Sequence, residues 1–261
     1  RITSPECVYM ELIVGEERAL LLDTGWGIGN LHETIRTITD KPLIIVNSHG
    51  HVDHVNGNTQ FEEEIYIHPK DAELCKAHSS MEMRQFMLTA LEAMGIALED
   101  FDKESYLKGG TGILTFIEEG TVFNLGSKTL EVIDLPGHTQ GSIGLLYREQ
   151  KILYVGDAIN GALLLCGPEA ATLAEYTKTL EKAKRIDFDK MVQAHQQKVF
   201  DKEILNTYLN LAKNVDWEKA QPYKDGEKEN PDIRVMCTEG MTQEMKENPN
   251  FACIVISKDK I

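Results

Sequence analysis

The chain has 261 residues, enough for one large hydrophobic core or two smaller ones. Its composition, 42% hydrophobic and 26% charged, is ordinary for a globular protein. No apolar run approaches the roughly 18 residues of a membrane-spanning helix, so no membrane partner is expected. The formal net charge of −15 is not offset by a local basic patch, and nucleic acid is therefore an unfavourable partner because its phosphates would be repelled.

In the first part of the chain, short strands surround one amphipathic helix. Residues 8–14 and 19–22 have the pattern of a β-hairpin, and residues 30–39 have the apolar spacing of a helix. Residues 43–47 are apolar in the manner of a fully buried strand, and a further short strand is predicted at 65–67. Strands and helices therefore alternate as in an α/β fold.

A helical, methionine-rich segment at about 70–107 separates this half from a second group of elements. Strands are predicted at 113–117, 129–135, 142–147, 151–155 and 190–194, and helices at 170–185 and 201–213. The two halves predict one layered α/β domain over residues 1–215, with the helical segment as an insertion. Residues 216–261 form a C-terminal extension with strand candidates at 233–237 and 253–257, and we expect it to pack on the same domain.

The cysteines are scattered along the chain, at Cys7, Cys75, Cys166, Cys237 and Cys253. Their number is odd and no two have CxxC spacing, which argues against a disulfide framework and against a cysteine-based zinc site. This usage is typical of a reducing compartment, so we expect a cytoplasmic protein.

The densest chemical signal is the motif His49-Gly50-His51-Val52-Asp53-His54, which directly follows the predicted buried strand at 43–47. Its imidazoles and carboxylate supply neutral nitrogen and hard oxygen ligands, a combination that suits zinc and similar divalent ions. A loop can turn His49 and His51 towards one point while Asp53 and His54 face another, so one segment can serve two metals. The alternative, a solvated loop with chance histidines, is disfavoured by the density of the motif.

More candidate ligands lie where predicted strands end. His138, Asp157 and His195 each follow a predicted strand within three residues. Parallel strands bring their carboxyl ends to one edge of a sheet, where these side chains could converge. Each residue alone has an ordinary structural explanation in a turn, but together they supply what a two-metal site requires.

With these residues the chain resembles the metallo-β-lactamase superfamily. The family motif HxHxDH is matched in full by residues 49–54, and His138 matches the third histidine of the family. Asp157 matches the carboxylate that bridges two metals, and His195 matches the last histidine. The resemblance extends over about residues 8–200 and implies an α/β fold of the family type, a four-layer αββα sandwich with the site along one edge.

The resemblance also implies a set of metal ligands. One metal would be held by His49, His51 and His138, and the other by Asp53, His54 and His195, with Asp157 as the bridge. Asp23 matches an aspartate that supports the ligands from behind. Two divalent ions are therefore expected. Zinc is favoured, although nitrogen and oxygen donors also admit iron or manganese.

Two metals in this arrangement would share a hydroxide that attacks a carbonyl or a similar electrophile. Asp53 and Asp157 would orient the hydroxide, and one of them would carry a proton to the leaving group. The resemblance thus implies a zinc-dependent hydrolase of a small ester, thioester, lactone or amide. The commonest true β-lactamases have cysteine where this chain has Asp157, so the family name describes a fold rather than a substrate.

Other activities of the same fold match the residues less well. The acidity of the chain disfavours ribonuclease Z, and flavodiiron oxidoreductases usually have glutamate at the position of His51. Glyoxalase II would need a cationic glutathione site, for which Lys219, Lys224 and Arg234 form no recognisable pattern. The alternative from another class is a mononuclear iron oxidoreductase that resembles persulfide dioxygenase, and a metal-binding protein without catalysis is a third interpretation.

The methionine-rich segment is the candidate for substrate selection. Met83, Met87, Leu91 and Met94 step by four, four and three residues and so share one helical face. That face would either pack on the sheet or form a lid over the metals, with Phe86 and Met87 lining a pocket for a small apolar substrate. The partners expected are thus a small-molecule substrate and, as a further hypothesis, a second copy of the chain in a homodimer.

Overall fold

The first sheet is built from the amino-terminal half of the chain. The computed structural model describes residues 1–4, 8–96, 98, 101–225, 228–238 and 251–261. The strands of this sheet are β1 (Ile2–Ser4), β2 (Val8–Val14), β3 (Ala19–Leu22), β4 (Leu43–Val46), β5 (Glu64–Ile67) and β6 (Ile113–Phe116). They pair in that order, with β1 to β3 antiparallel and β3 to β6 parallel. The hairpin predicted at 8–14 and 19–22 is confirmed.

The second half of the chain contributes the second sheet and one strand of a third. Its strands are β7 (Val122–Asn124), β8 (Thr129–Asp134), β9 (Ile143–Tyr147), β10 (Ile152–Tyr154), β11 (Ala162–Leu165), β12 (Lys190–Val192) and β13 (Val199–Asp201). All except β11 form the second sheet, in the order β13-β12-β10-β9-β8-β7. The pair β10 and β12 is parallel, and the other pairs are antiparallel.

The C-terminal extension forms the third sheet together with β11. Its strands are β14 (Gln221–Asp225), β15 (Lys228–Cys237) and β16 (Cys253–Ser257), and the sheet order is β11-β16-β15-β14. β16 runs parallel to β11, so the end of the chain pairs with a strand of the second half. Both strands predicted in the extension are confirmed, although β15 begins earlier than the sequence indicated.

Helices cover the outer faces of the sheets. Within the described residues they are α1 (Leu31–Ile38), α2 (Val52–Val55), α3 (Ala72–His78), α4 (Met81–Ala93), α5 (Lys103–Leu107), α6 (Leu173–Arg185) and α7 (Ile204–Lys213). α1 begins where the Asn30 side chain accepts a hydrogen bond from the Glu33 amide, 2.9 Å away. α6 begins with a reciprocal capping box between Thr172 and Glu175. In the described part of the chain, no helix combines the length and apolar character that a membrane crossing requires.

The apolar side chains define the order of the layers. Successive residues of a strand point to opposite faces, so Leu20 and Leu22 of β3 face the second sheet whereas Leu21 faces Ile35 of α1. On its other face, the second sheet packs against α6 and α7 through a large cluster that includes Leu180. The order helix, sheet, sheet, helix confirms the predicted αββα sandwich.

A buried arginine organises the helical insertion at 70–107. The Arg84 side chain is fully buried on α4. Its guanidinium donates hydrogen bonds to the carbonyl oxygens of Ser79 at 3.2 Å and of Tyr106 and Gly110 at 3.3 Å each. It also lies 4.7 Å from the centre of the Tyr106 ring. One side chain therefore joins the start of α4, α5 and the loop before β6.

This arginine also explains why the predicted apolar face of α4 is only partly correct. Leu91 is buried as expected, but Met83 and Met87 are only half-buried and Met94 is 60% exposed. The buried face comprises Arg84, Leu88 and Leu91. Hydrophobic spacing alone could not identify it, because an arginine on a helix is usually counted on the solvent side.

We predict that Arg84→Met will lower the free energy of unfolding by about 2–4 kcal/mol, because buried carbonyl groups lose a charged donor. Urea denaturation measures the change. The matched control is Arg185→Met, since Arg185 is exposed at the end of α6. Equal stability losses in the two variants would show that the Arg84 contacts do not organise the insertion.

Candidate metal centre

All the predicted metal ligands follow strand ends on one edge of the sandwich. His49 and His51 lie just after β4, and His54 lies in the short helix α2 that follows. In the second sheet, β8, β10 and β12 share one direction, since β9 is antiparallel to both β8 and β10 and β12 is parallel to β10. Their carboxyl ends therefore meet at the same edge, which delivers the side chains of His138 and Asp157. His195 follows β12 in the same way.

The first group of candidate ligands consists of imidazole nitrogens alone. His49 Nε2 lies 3.1 Å from His51 Nδ1, and His51 Nδ1 lies 2.8 Å from His138 Nε2. The ligand atoms of this trio are all within 4.8 Å of one another. Three imidazole nitrogens this close together are a set of donors that a divalent cation can bind.

The second group combines imidazole and carboxylate. His195 Nε2 lies 3.3 Å from Asp53 Oδ2 and 3.1 Å from Asp157 Oδ2. His54 Nε2 lies 3.5 Å from Asp53 Oδ2 and 3.6 Å from Asp157 Oδ2. Because Asp157 Oδ2 is also 3.8 Å from His138 Nε2, this carboxylate lies between the two groups.

The hydrogen-bond inventory indicates that these residues fit a bound cation. Seven buried side-chain atoms of the described residues have no hydrogen-bond partner, and two of them, His54 Nε2 and Asp157 Oδ1, belong to candidate ligands. Buried polar atoms normally find a partner, and an ion that binds both atoms would satisfy them. The donor set contains only nitrogen and oxygen, which suits zinc, iron or manganese.

Burial and mutual repulsion keep part of the site neutral. Burial lowers the pKa of His49 well below its usual value, and nearby histidines lower it further. The same causes bring the pKa of His138 to about 4, so the neutral form of this ring predominates at neutral pH. Burial opposes the ionisation of Asp157, but the positive charge of His54 and the contact with His195 hold the pKa of this carboxyl well below its usual range.

Asp23 contacts His54 and the residue before His49. Its carboxylate accepts hydrogen bonds from the Ser48 amide at 2.7 Å, the Ser48 hydroxyl at 2.8 Å and His54 Nδ1 at 2.9 Å. The bond to Nδ1 leaves His54 Nε2 free to face the site. Asp23 has a φ of +65°, a left-handed conformation that aspartate and asparagine tolerate better than most residues.

Glu169 is a functional candidate that the sequence did not reveal. Its Oε1 atom lies 3.1 Å from His51 Nε2, whereas His51 Nδ1 faces His49 and His138. This hydrogen bond is the main cause that lowers the pKa of Glu169 to about 2. The carboxylate can therefore orient His51, whose ring also stacks on His78 with centroids 5.1 Å apart. No motif surrounds Glu169, so only the fold could bring it to notice.

A cavity of about 600 Å³ opens in front of the candidate ligands. Besides His51, Asp53, His138, Asp157 and His195, it is lined by Asn160, Ala162, Leu164, Cys166, Gly167 and Glu169. Phe86 and Met87 are not among the lining residues, and Phe86 is 67% exposed on α4. The role of these two residues in substrate selection stays a prediction, whereas β11 forms a wall of the cavity.

Comparison with known proteins agrees with this geometry. Residues 8–195 match the family model described as the metallo-beta-lactamase superfamily, and the chain belongs to that superfamily. Solved structures with the same fold include an archaeal superfamily protein, ST1585 from Sulfolobus tokodaii, with a TM-score of 0.57, 19% identity and coverage of 87% of this chain and 88% of that one. Another is TTHA1623 in a di-iron-bound form, with a TM-score of 0.56, 19% identity and coverage of 77% and 95%.

Curated relatives include two enzymes with named activities. The acyl-coenzyme A thioesterase MBLAC2 of Bos taurus is 27% identical over 183 residues, which cover 66% of this chain and 65% of the relative. The hydroxyacylglutathione hydrolase GloC of Haemophilus influenzae is 26% identical over 146 residues, which cover 55% of this chain and 62% of the relative. The chain thus spans less than two thirds of the length of either relative.

We predict that Asp23→Ala will weaken metal binding by about 10–100-fold, because His54 loses the acceptor that orients it. Competition with a chromophoric chelator measures the affinity. Asp23→Asn keeps an acceptor for the Ser48 amide and tolerates the left-handed backbone, so its loss should be smaller. Unchanged affinity in the alanine variant would show that Asp23 does not position the ligand.

Proposed function

We propose that the protein is a binuclear metal-dependent hydrolase whose substrate is an acyl thioester or a related small ester, lactone or amide. The observation that carries the proposal is the position of Asp157. Its carboxylate lies between the trio of His49, His51 and His138 and a second group that contains Asp53, His54 and His195. A carboxylate in that place can be shared by two ions.

The two groups divide the ligands between two ions. The trio would hold one ion, and the second group would hold the other, with Asp157 shared. Zinc suits the first group best because its donors are imidazole nitrogens alone. The carboxylates of the second group also suit iron or manganese, and the di-iron form of a protein with the same fold supports this range of metals.

The side chains around the ions can perform the steps of hydrolysis. When bound, the ions would supply Lewis acidity and lower the pKa of a coordinated water. Asp53, held 3.3 Å from His195 Nε2, is placed to accept a proton from the attacking water and pass it to the leaving group. His49 and His54 are buried and close the floor of the site, so the substrate must enter from the cavity.

The names of the relatives favour a thioester among the possible substrates. Acyl-coenzyme A thioesterase and hydroxyacylglutathione hydrolase both describe the release by water of an acyl group from a thiol carrier. A thioester carbonyl is an electrophile of the kind that a two-metal site hydrolyses without a serine or cysteine nucleophile. We therefore place thioesters first and the other acyl compounds after them.

The wall of the cavity indicates the character of the acyl group. Leu163 and Leu165 of β11 face the core, so Ala162 and Leu164 face outward along one side of the cavity, and Leu164 is 43% exposed. No lysine or arginine lines the cavity within the described part of the chain. Because Glu169 also lines the cavity beside Ala162 and Leu164, the cavity favours an uncharged, apolar acyl group over an anionic one.

We predict that elemental analysis of protein purified without added metal will find about two divalent ions per chain. Asp157→Ala should retain about one ion and lose several orders of magnitude in kcat/KM, because the shared ligand is gone. Asp40→Ala, at an exposed position, is the matched control. Near-normal turnover in Asp157→Ala would refute the ligand assignment, and a single iron per wild-type chain would favour the oxidoreductase alternative.

We predict that Leu164→Asp will reduce kcat/KM more for long aliphatic acyl thioesters than for the acetyl thioester, because the apolar wall becomes charged. The ratio of the two kcat/KM values should fall by about 10-fold or more. A series of acyl chain lengths on one uncharged thiol measures the ranking. Phe86→Ala is the parallel test of α4. If Phe86→Ala changes the ranking and Leu164→Asp does not, the substrate lies against the helical segment instead of β11.

A further inference from the structure

Two cysteines lie directly opposite each other in the third sheet. Cys237 is the last residue of β15 and Cys253 is the first residue of β16, and the antiparallel register pairs the two. Their side chains therefore leave the same face of the sheet, where they pack in a small apolar cluster with Val235 and Val255. None of the residues in this cluster is a candidate metal ligand.

The hydrogen bonds identify which kind of antiparallel pair this is. The Cys253 amide donates to the carbonyl of Gly161 at 2.8 Å, next to β11, and so points away from β15. The neighbouring pair is bonded, since the Thr238 amide donates to the Ala252 carbonyl at 2.9 Å. Cys237 and Cys253 thus form a non-hydrogen-bonded pair, in which side chains approach most closely and Cα atoms are about 4.5 Å apart.

This separation is compatible with a covalent link. Disulfides are formed across Cα separations of roughly 4.4–6.8 Å, so the pair lies within the range without movement of the backbone. The two thiols are already hydrogen bonded to each other, and this bond lowers the pKa of the Cys237 thiol despite its partial burial. Cys75 provides the contrast, since burial raises the pKa of its thiol to about 11.

We propose that Cys237 and Cys253 are an oxidation site that takes a hydroperoxide and stores its two oxidising equivalents as a reversible disulfide. The Cys237 thiolate attacks the peroxide oxygen, which breaks the O–O bond, forms a sulfenic acid and releases hydroxide or alkoxide. The Cys253 sulfur then attacks the sulfenic sulfur and displaces hydroxide, which leaves as water with the thiol proton. A dithiol reductant reverses the reaction.

The position of the pair gives this link two structural consequences. The disulfide would join the two ends of the connection between β15 and β16, which restricts the unfolded chain and stabilises the sheet. Cys253 also pairs with Ala162 of β11, and Ala162 lines the cavity in front of the metal centre. Oxidation would therefore stiffen the strand that supports the cavity wall without touching a metal ligand.

Peptide mapping tests the proposal directly on the wild-type protein. The full chain is treated with hydrogen peroxide, its remaining thiols are alkylated, and it is digested without reduction. The expected product is a peptide pair cross-linked through Cys237 and Cys253, which dithiothreitol separates, while Cys75 is recovered as an alkylated control. The proposal is overturned if both cysteines are recovered as alkylated peptides when Cys166 is already oxidised.

Variants distinguish this pair from the other thiol in the same cluster. Cys166 packs against the cluster, so Cys166→Ser is the matched control and should retain the Cys237–Cys253 cross-link. Oxidation should raise the Tm of wild-type and Cys166→Ser protein by roughly 5 °C. It should leave the Tm of Cys237→Ser protein unchanged, because that variant cannot form the disulfide. The proposal would be overturned if the main product were a disulfide between Cys166 and either member of the pair. The peptide map of the oxidised wild-type protein shows this outcome without any variant.

Discussion

The geometry of the candidate metal centre depends on the hydrogen bonds that the buried Asp71 carboxylate accepts. It accepts hydrogen bonds from the Gly50 amide at 2.8 Å, the Gly141 amide at 2.7 Å and the Thr139 hydroxyl at 2.7 Å. Gly50 lies between His49 and His51, and Thr139 follows His138. One acceptor therefore holds together the loops that carry the candidate ligands of both sheets. Burial raises the pKa of Asp71, and the three hydrogen bonds compensate its carboxylate for the lost water.

The close approach around Asp71 also explains two glycines. A Cβ atom on Gly141 would lie 2.4 Å from Asp71 Oδ1, and one on Gly50 would lie 2.9 Å from the Asp71 carbonyl oxygen. Neither loop could reach the carboxylate with a larger residue, so the requirement is steric rather than chemical. The histidines of the motif can converge with His138 because the backbones of Gly50 and Gly141 both approach the Asp71 carboxylate.

The metal centre is an unfavourable arrangement for the protein by itself. It buries His49, His54, His138 and Asp157 close together and leaves His54 Nε2 and Asp157 Oδ1 without partners. Such groups cost stability unless they are paired, so the surrounding hydrogen bonds must hold them in position. Asp23 and Glu169 perform this role by binding the outward nitrogens of His54 and His51. The positions of the candidate ligands therefore depend on the residues that support them.

The sequence by itself determined the class of fold and the ligand candidates, because both leave local signals. Alternation over 8–14 and 19–22 specified a hairpin, and six consecutive positions carried four candidate ligand side chains. Only the tertiary structure placed Glu169 against His51, from which it is 118 residues away in sequence. Only the tertiary structure paired β11 with β16 and so made β11 a wall of the cavity. It also turned Arg84 inward, against the usual preference of a charged side chain, because three carbonyl groups from separate segments meet there. These features depend on contacts between distant segments, for which no local pattern of residues exists.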